Sequence, residues 1–353
     1  MILPVSPSIT LWILVVSMIC WGSWANTQKL ARPRRFELYY YDFLLGFLLV
    51  VVGAAFTLGT LNPTELTFQE NFLITGYRNM AWAVAAGMVF SAGNIFLAGT
   101  VSVSGLAVAF PVALGIAAVV ETGWNLTTGV RIATILSLGG MLFVLIAIVV
   151  ITYAYASHLD RLLSAVKQPV FRPDPRVRKP PRPTAPNSAA QATVLGVISG
   201  FAFGFVRPLL DNARGGANGL DPYGLALLFA AGMVASAVVL TPFFFNFPVS
   251  GEPLGLSDLF SGSGAQHLYG IVGGVLAGVA ILGGFVIAAT PATASVGRGL
   301  IFGLTQAGTL LAALWGFLVW REFGAASMRI RTLFAMVVIF FAIGVAMLSL
   351  AQG

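Results

Sequence analysis

Charged side chains are scarce in this sequence. Of 353 residues only 9% are Asp, Glu, Lys or Arg and 58% are hydrophobic, whereas a soluble domain carries about 25% charged residues. This composition excludes an ordinary soluble domain and predicts an integral membrane protein. The net charge of +7 does not indicate a nucleic-acid partner, because the basic residues follow the pattern of a membrane topology.

Cysteine and histidine are scarcer still. The single cysteine, Cys20, cannot form an intramolecular disulfide, and the two histidines, His158 and His267, stand at the ends of apolar segments. No His, Cys or carboxylate pair has the spacing of a metal site. No paired carboxylates or Ser, His and Asp set occur at membrane depth. We therefore predict no metal, no cofactor and no enzymatic activity.

Long apolar runs are abundant. A membrane-spanning helix needs about 20 apolar residues, and ten runs of that length recur along the chain, which predicts an all-α polytopic membrane protein. The first run is not a cleavable signal, because no Lys or Arg precedes it and no small-residue cleavage site follows it. The predicted spans are 8–27, 39–59, 79–99, 104–126, 133–156, 191–211, 222–244, 267–289, 296–319 and 330–350.

The basic residues predict the orientation. With the N-terminus outside, 14 of the 19 Lys and Arg residues fall in inner loops, where such residues concentrate. Five, Arg131 and Arg207 among them, fall on the outer side or in the outer half of the membrane. We predict a multi-pass protein of the plasma (cytoplasmic or inner) membrane, with both termini outside.

The segment 158–190 is the one long polar stretch, and it holds seven prolines and seven basic residues. It is predicted to be an extended cytosolic linker, with docking to anionic lipid headgroups as the alternative role for its basic cluster. The linker separates a first five-helix repeat, 1–157, from a second, 191–353. Five helices per half make the second repeat start on the opposite side, which predicts two inverted five-helix repeats.

Small residues follow two of the predicted helices at four-residue spacing. In lipid, such stripes let helix backbones approach closely, because burial of apolar groups gains little when the solvent is itself apolar. We expect a structural role for both. The stripes are Gly196, Gly200, Gly204 and Gly270, Gly274, Gly278.

Four stretches carry a resemblance that spans most of the chain. Two begin the first repeat, one covers its third and fourth helices, and the last closes the ninth helix: CWGSWANTQKL (20–30), FELYYYDF (36–43), SAGNIFLAGTVSVSGLAVAFPVALGIAAVVETGWN (91–125) and LWGFLVWREFGAAS (314–327). With its long central loop, the chain resembles the drug/metabolite transporter superfamily, and within it the ureide permeases and the related bacterial sugar-uptake branch (glucose/ribose, rhamnose). The loop lacks G-x-x-x-x-G-K-[ST], so ATP use is unsupported.

The resemblance implies a secondary active transporter. Its substrate would be a small polar, mostly uncharged solute such as a ureide, a nucleobase-like heterocycle or a sugar, moved by alternating access with coupling to protons. A drug or metabolite exporter of the same superfamily is the alternative, because coupling direction is not encoded in sequence. A membrane-embedded enzyme or receptor is the least favoured class. The sequence leaves the oligomeric state open.

Two ionisable residues at membrane depth are the candidates for coupling. A charged side chain at a helix centre costs about 2.5 to 3.5 kcal/mol, so such residues usually face the bundle interior. Glu121 and Arg207 are expected at similar depth in the outer half. One hypothesis makes Glu121 a proton-coupling carboxylate that pairs with Arg207 in one state. The alternatives are a static pair, an Arg207 bonded to Asp211, or no contact.

Aromatic and amide side chains are the candidates for the substrate site. Amides donate and accept hydrogen bonds, which suits an uncharged solute, and tryptophan faces suit a flat one. For Trp124 the competing interpretation is an aromatic residue at the membrane interface. Glu322, beside Arg321, is expected to cap or pair a loop. The candidates are Trp24, Asn26, Asn94, Trp124, Asn125, Thr305 and Gln306.

Overall fold

The structure is an all-helical bundle with no strand in the part of the chain that is described. The computed structural model describes residues 1–61, 66–130, 132–167, 189–216, 218–324 and 326–352. Ten of its helices are long and apolar enough to cross a membrane. The ten predicted spans are thereby confirmed.

Most of the helices are joined by short connections, whereas residues 247–263, which include a 3-10 turn at Leu256–Phe260, join α8 to α9. An eleventh, short helix, α3, joins the second and third spans, and a π-helical turn, Trp315–Val319, extends α10. The bounds are α1 Pro7–Leu30, α2 Phe36–Phe56, α3 Phe68–Ile74, α4 Tyr77–Ser104, α5 Leu106–Thr127, α6 Thr134–Lys167, α7 Ala189–Arg214, α8 Pro222–Asn246, α9 Gly264–Ala288, α10 Arg298–Leu314 and α11 Met328–Ala351.

Polar residues at helix starts explain several of these bounds. Ser6 and Asp221 accept hydrogen bonds from the first backbone N–H groups of α1 and α8. Thr67 and Ser263 form capping boxes with Glu70 and Gln266 at the starts of α3 and α9. Each cap satisfies donors that the first helical turn leaves without an intrahelical partner.

Two connections differ from the sequence expectation. The predicted spans 79–99 and 104–126 leave residues 100–103 as a connection, but α4 is helical to Ser104, and Gly105 alone, at φ 85°, separates it from α5. Helix α6 continues to Lys167, so the first ten residues of the expected linker 158–190 are helical. Residues 168–188 of that linker, and Arg131 of the orientation argument, lie outside the described residues.

The chain termini mark one end of the bundle, and the exit of α6 towards residues 168–188 marks the other. The Thr10 hydroxyl, near the start of α1, donates to the Ala294 carbonyl before α10, and the Ala133 N–H before α6 bonds the Ala351 carbonyl at the end of α11. A Cβ at Gly299, in the first turn of α10, would stand 2.2 Å from the Ser349 carbonyl oxygen near the end of α11, so both termini lie at one end, called here the terminal end. The opposite end, where α6 leaves towards residues 168–188, is the linker end.

Helices of the two halves interleave. Helix α4 packs against α7 and α8, whereas α9 packs against α1 and α2; α5 packs on α7, α1 on α10, and α6 on α11. The core between them is rich in aromatic side chains, among them Tyr39, Tyr40, Phe43, Phe47 and Phe229, all nearly inaccessible to solvent. A central cavity is therefore lined by helices from both halves.

The glycine stripes lie where these helices touch, as expected. A Cβ at Gly200 would stand 2.4 Å from the Ala113 carbonyl oxygen of α5, and one at Gly274 would stand 1.8 Å from the Phe43 carbonyl oxygen of α2. Only glycine allows backbones this close. The stripe on α7 thus sets its packing on α5, and the stripe on α9 its packing on α2.

Gly274→Ala is expected to lower the thermal midpoint of the detergent-solubilised protein strongly. The new methyl group meets backbone, which cannot rotate away, so a loss of about 2 kcal/mol or more is expected from overpacking. Gly284→Ala is the control on the same helix, because its Cβ meets nothing within 4 Å. An equal loss in both variants would mean that helix flexibility, not close approach, explains the stripe.

Candidate functional site

A cavity of about 320 Å³ opens in the half of the bundle towards the terminal end. Its walls come from α1, α4 and α5 of the first half and from α7, α8, α9 and α10 of the second. Pockets that bind small molecules start at about 300 Å³ and are mostly apolar with a few polar groups. The cavity has that size and character.

Aromatic rings close the cavity towards the linker end. The Trp21 ring lies 6.0 Å, centroid to centroid, from both Phe90 and Phe203, and Phe229 lies 5.1 Å from Phe90. One turn further along α1, the Trp24 ring is 6.2 Å from Trp21. The rings of Trp21, Phe90, Phe203 and Phe229 are called here the aromatic floor.

Helix α10 supplies most of the neutral polar groups of the cavity. Thr305, Gln306 and Thr309 line it, together with Ser17 of α1. Thr309 donates weakly to the Gln306 side-chain oxygen at 3.5 Å, and Gln306 is largely buried. Of the predicted substrate-site residues, Thr305 and Gln306 are therefore the two that the structure places in the cavity.

Glu121 and Arg207 meet at the cavity wall. An Arg207 nitrogen lies 3.3 Å from a Glu121 carboxylate oxygen, and the side chains are 47% and 16% exposed, respectively. Asp211 bonds Arg214 at 2.7 Å instead, so the alternative Arg207 to Asp211 pair is not the arrangement seen. The contact is an ion pair whose angles do not make a hydrogen bond to that oxygen. The attraction between the two charges therefore accounts for most of the contact between Arg207 and Glu121.

The other predicted substrate-site residues do not line the cavity. Trp24 is inaccessible and packs on Phe43 and Phe110 beneath the floor. Asn94 is equally buried, beside the Tyr40 hydroxyl. Both belong to the core between the cavity and the linker end.

Asn26, Trp124 and Asn125 lie elsewhere. The Asn26 side chain accepts from the Trp320 indole at 2.7 Å and donates to the Ser23 carbonyl, near the linker end. Trp124 is 42% exposed and packs edge-on against Phe205, the placement of an interfacial aromatic. Asn125 lies in the last turn of α5, outside the cavity lining.

An ion pair closes the bundle at the linker end. Lys29 of α1 bonds Glu322, which follows the π-helical turn of α10. Both Glu322 oxygens also accept from the first N–H groups of α5, those of Leu106 and Ala107, at 2.8 Å each. We call Lys29, Glu322 and these two N–H groups the Lys29–Glu322 lock. It joins three helices at one carboxylate.

Two glycines make room for this carboxylate. At Gly105, whose φ of 85° disfavours other residues, a Cβ would stand 2.3 Å from the Glu322 carboxyl carbon, and at Gly316 it would stand 2.5 Å from a Glu322 oxygen. The Lys29 ammonium also lies 5.4 Å from the Trp320 ring centroid. Of the two expected roles for Glu322, capping a helix or pairing a loop, the structure confirms the first.

Sequence reasoning missed part of this arrangement. Phe90, Phe203 and Phe229 form the floor, but an apolar residue in an apolar helix carries no signal that separates a cavity wall from a lipid contact. Ser17 and Thr309 are small and common in membrane helices. Glu322 did stand out, because a carboxylate at the end of a span is conspicuous.

No protein-family model matches the chain. It is similar to ureide permease 1 of Arabidopsis thaliana, with 23% identity over 386 residues and 96% of each chain covered. Ten apolar helices and this end-to-end similarity decide the class. The protein is a multi-pass membrane transporter. The similarity supports the ureide-permease part of the resemblance, and the wider superfamily and the sugar-uptake branch stay predictions.

Proposed function

We propose that this transporter is a secondary active permease for a small polar, mostly uncharged solute, working by alternating access and coupled to protons. The observation that carries the proposal is the asymmetry along the bundle axis. A cavity opens in the terminal half, and an aromatic floor and the Lys29–Glu322 lock close the linker half. Alternating access requires one closed and one open side around a central site.

The packing of the helices supports two inverted five-helix repeats. If α1, α2, α4, α5 and α6 are matched in order with α7 to α11, the contact of α4 with α7 corresponds to that of α9 with α1. The contact of α4 with α8 corresponds to that of α9 with α2 in the same way, and α6 with α11 maps onto itself. Such exchange is expected of repeats related by a pseudo-two-fold axis, which rock against each other.

The cavity chemistry favours a flat, polar solute. Aromatic rings form its floor, and the hydroxyls of Thr305 and Thr309 and the amide of Gln306 form one wall. These groups donate and accept but carry no charge. A ureide, a nucleobase-like heterocycle or a sugar would meet its polar edge there while its face rests on the rings.

Glu121 is the proposed coupling group. Burial favours its neutral acid, whereas a nearby guanidinium favours the carboxylate. The two partners stand on different helices, α5 and α7, so rocking that changes the 3.3 Å separation changes the preferred protonation state. This reasoning applies equally to symport and antiport, and an exporter built the same way is the alternative.

Uptake measurements test the proposal. Cells expressing the protein should accumulate at least one of labelled allantoin, uracil or a simple sugar faster at low external pH, compared with cells carrying an empty vector. Export would appear instead as faster loss from preloaded cells. Transport of none of these solutes in either direction would contradict the proposed substrate class.

Gln306→Leu is expected to raise the KM for the transported solute about two- to tenfold, because a net hydrogen bond is worth about 0.5 to 1.5 kcal/mol. Gln352→Leu, the same change at the end of α11 and outside the cavity, should leave the KM unchanged. Initial uptake rates over a range of solute concentrations measure both. Equal KM values in the two variants would remove Gln306 from the site.

A further inference from the structure

A second cavity, of about 280 Å³, lies at the linker end. It is lined by the end of α1, the turn from α1 to α2, the last turns of α4 and Ser250 of the loop before α9. Among the described residues, its lining includes four basic side chains, Lys29, Arg32, Arg34 and Arg35, but a single carboxylate, Glu37. We call it the Arg32 cavity.

Two of these four cations are held by contacts within the fold. Arg34 pairs with Asp42 and donates to the Leu259 and Ser261 carbonyls. Arg35 pairs with Glu37 and donates to the Glu252 carbonyl. These contacts tie the turn after α1 to the loop before α9 and fix the shape of the cavity.

The other two cations have donors to spare. Arg32 is exposed and makes no ion pair or side-chain hydrogen bond within the described residues. Lys29 bonds Glu322, yet an ammonium carries three donors. A guanidinium fork matches the geometry of a phosphate. The cavity therefore presents unused donors and positive charge to an anion.

A buried acceptor on the same wall narrows the ligand further. The Gln28 side-chain nitrogen donates to the Ala98 carbonyl at 2.8 Å. Its oxygen is buried without a hydrogen-bond donor among the described residues, and a buried polar atom of this kind is uncommon in folded proteins. A ligand that brings both negative charge and a hydroxyl would satisfy Arg32 and Gln28 together.

We propose that the Arg32 cavity binds a phosphate group with a hydroxyl beside its charged oxygens, either the P–OH of free hydrogen phosphate or the glycerol hydroxyl of a phosphatidylglycerol headgroup. The two sources share the chemistry that the cavity recognises. The volume of the cavity, about 280 Å³, is several times the roughly 30 Å³ that one water molecule occupies. The cavity therefore has room for free phosphate or for a lipid headgroup. The site is separate from the solute cavity, and its existence does not depend on the proposed function.

The test uses the purified full-length chain and measures the thermal unfolding midpoint. In uncharged detergent, sodium phosphate is compared with sodium chloride at equal ionic strength. In nanodiscs, phosphatidylcholine alone is compared with phosphatidylcholine containing phosphatidylglycerol. A ligand that binds the folded state raises the midpoint as its concentration exceeds its Kd. We expect a rise with phosphate if the site takes free anions and a rise with phosphatidylglycerol alone if it takes headgroups.

Matched variants locate the effect. Arg32→Gln should weaken binding of the effective probe about tenfold, and Ser250→Asp, which adds a carboxylate to the cavity wall, should weaken it similarly. Arg161→Gln removes the same charge from an exposed position of α6 that does not line the cavity and should respond like the wild type. Because Arg32 and Arg161 are both exposed, both variants are expected to fold.

The same variants also define the results that would contradict the proposed phosphate site. If the wild type responds to neither probe, or if Arg32→Gln and Arg161→Gln respond alike, the proposed site is overturned. No transported solute enters the measurement. A protein that binds phosphate but transports none of the tested solutes would therefore contradict the proposed function and leave this site standing.

Discussion

Glu322→Gln is expected to open the linker end of the transporter. Breaking a buried ion pair leaves its partner uncompensated at a cost of about 3 to 5 kcal/mol, and Lys29 and Glu322 are only 9% and 10% exposed. A shift of that size changes the ratio of two conformations by roughly a hundred- to several-thousandfold. Ser104→Cys, buried in the last turn of α4, is the reporter in a Cys20→Ala background. Its rate of thiol labelling from the linker side should rise sharply.

Reversing the charges of this pair should not restore the lock. In a Lys29→Glu, Glu322→Lys double variant the ion pair can re-form, but a lysine at 322 cannot accept the hydrogen bonds of the Leu106 and Ala107 N–H groups. Labelling should stay fast. Recovery of slow labelling would mean that the ion pair alone closes the linker end and that the helix cap is incidental.

The Arg214 and Asp211 pair is the control for this reversal. Asp211 is 59% exposed and Arg214 is 22% exposed, and an ion pair that reaches solvent in this way contributes only about 0 to 1 kcal/mol. Arg214→Asp combined with Asp211→Arg should therefore leave both the labelling rate of Ser104→Cys and the thermal midpoint close to those of the reporter protein.

Glu121→Gln is expected to abolish pH-dependent uptake while leaving solute exchange intact. Glutamine keeps the size and polarity of the acid but cannot carry a proton on and off, so the proton gradient no longer drives accumulation. We expect gradient-driven uptake in proteoliposomes to fall at least about tenfold, equivalent to about 1.4 kcal/mol. Exchange of labelled for unlabelled solute at equal pH should change little.

A carboxylate of the same region provides the control. Asp211 lies one turn beyond Arg207 on α7 and does not line the cavity, so Asp211→Asn should keep the pH dependence. If Glu121→Gln retains the pH dependence of the wild type, Glu121 and Arg207 form only a static pair. Loss of both uptake and exchange would instead assign Glu121 to solute binding.

Periodicity and length alone were sufficient to predict the helices. Each span is an apolar run that must satisfy its backbone hydrogen bonds internally in lipid, and caps such as Ser263 with Gln266 are local signals. The predicted helix bounds are wrong where the local sequence does not mark the end of a helix. Residues 100–103 lie between two predicted spans, yet α4 is helical through them to Ser104.

The candidate site could be predicted only where a residue was chemically conspicuous. Glu121, Arg207, Thr305 and Gln306 are polar groups in apolar helices, and all four line the cavity. Asn26 is equally conspicuous, but the Trp320 indole, 294 positions away, occupies its side chain at the linker end. The polarity of a residue alone does not predict whether its side chain lies in the cavity or at the linker end.

By itself, the sequence determined the number of membrane helices, because the length of an apolar run and the thickness of lipid are local quantities. It also determined which side chains are too polar to face lipid. The tertiary structure alone decided that Glu121 meets Arg207, that Glu322 holds Lys29 and the start of α5, and that Arg32 is left without a partner among the described residues. These contacts join residues distant in the chain, and helix packing sets them.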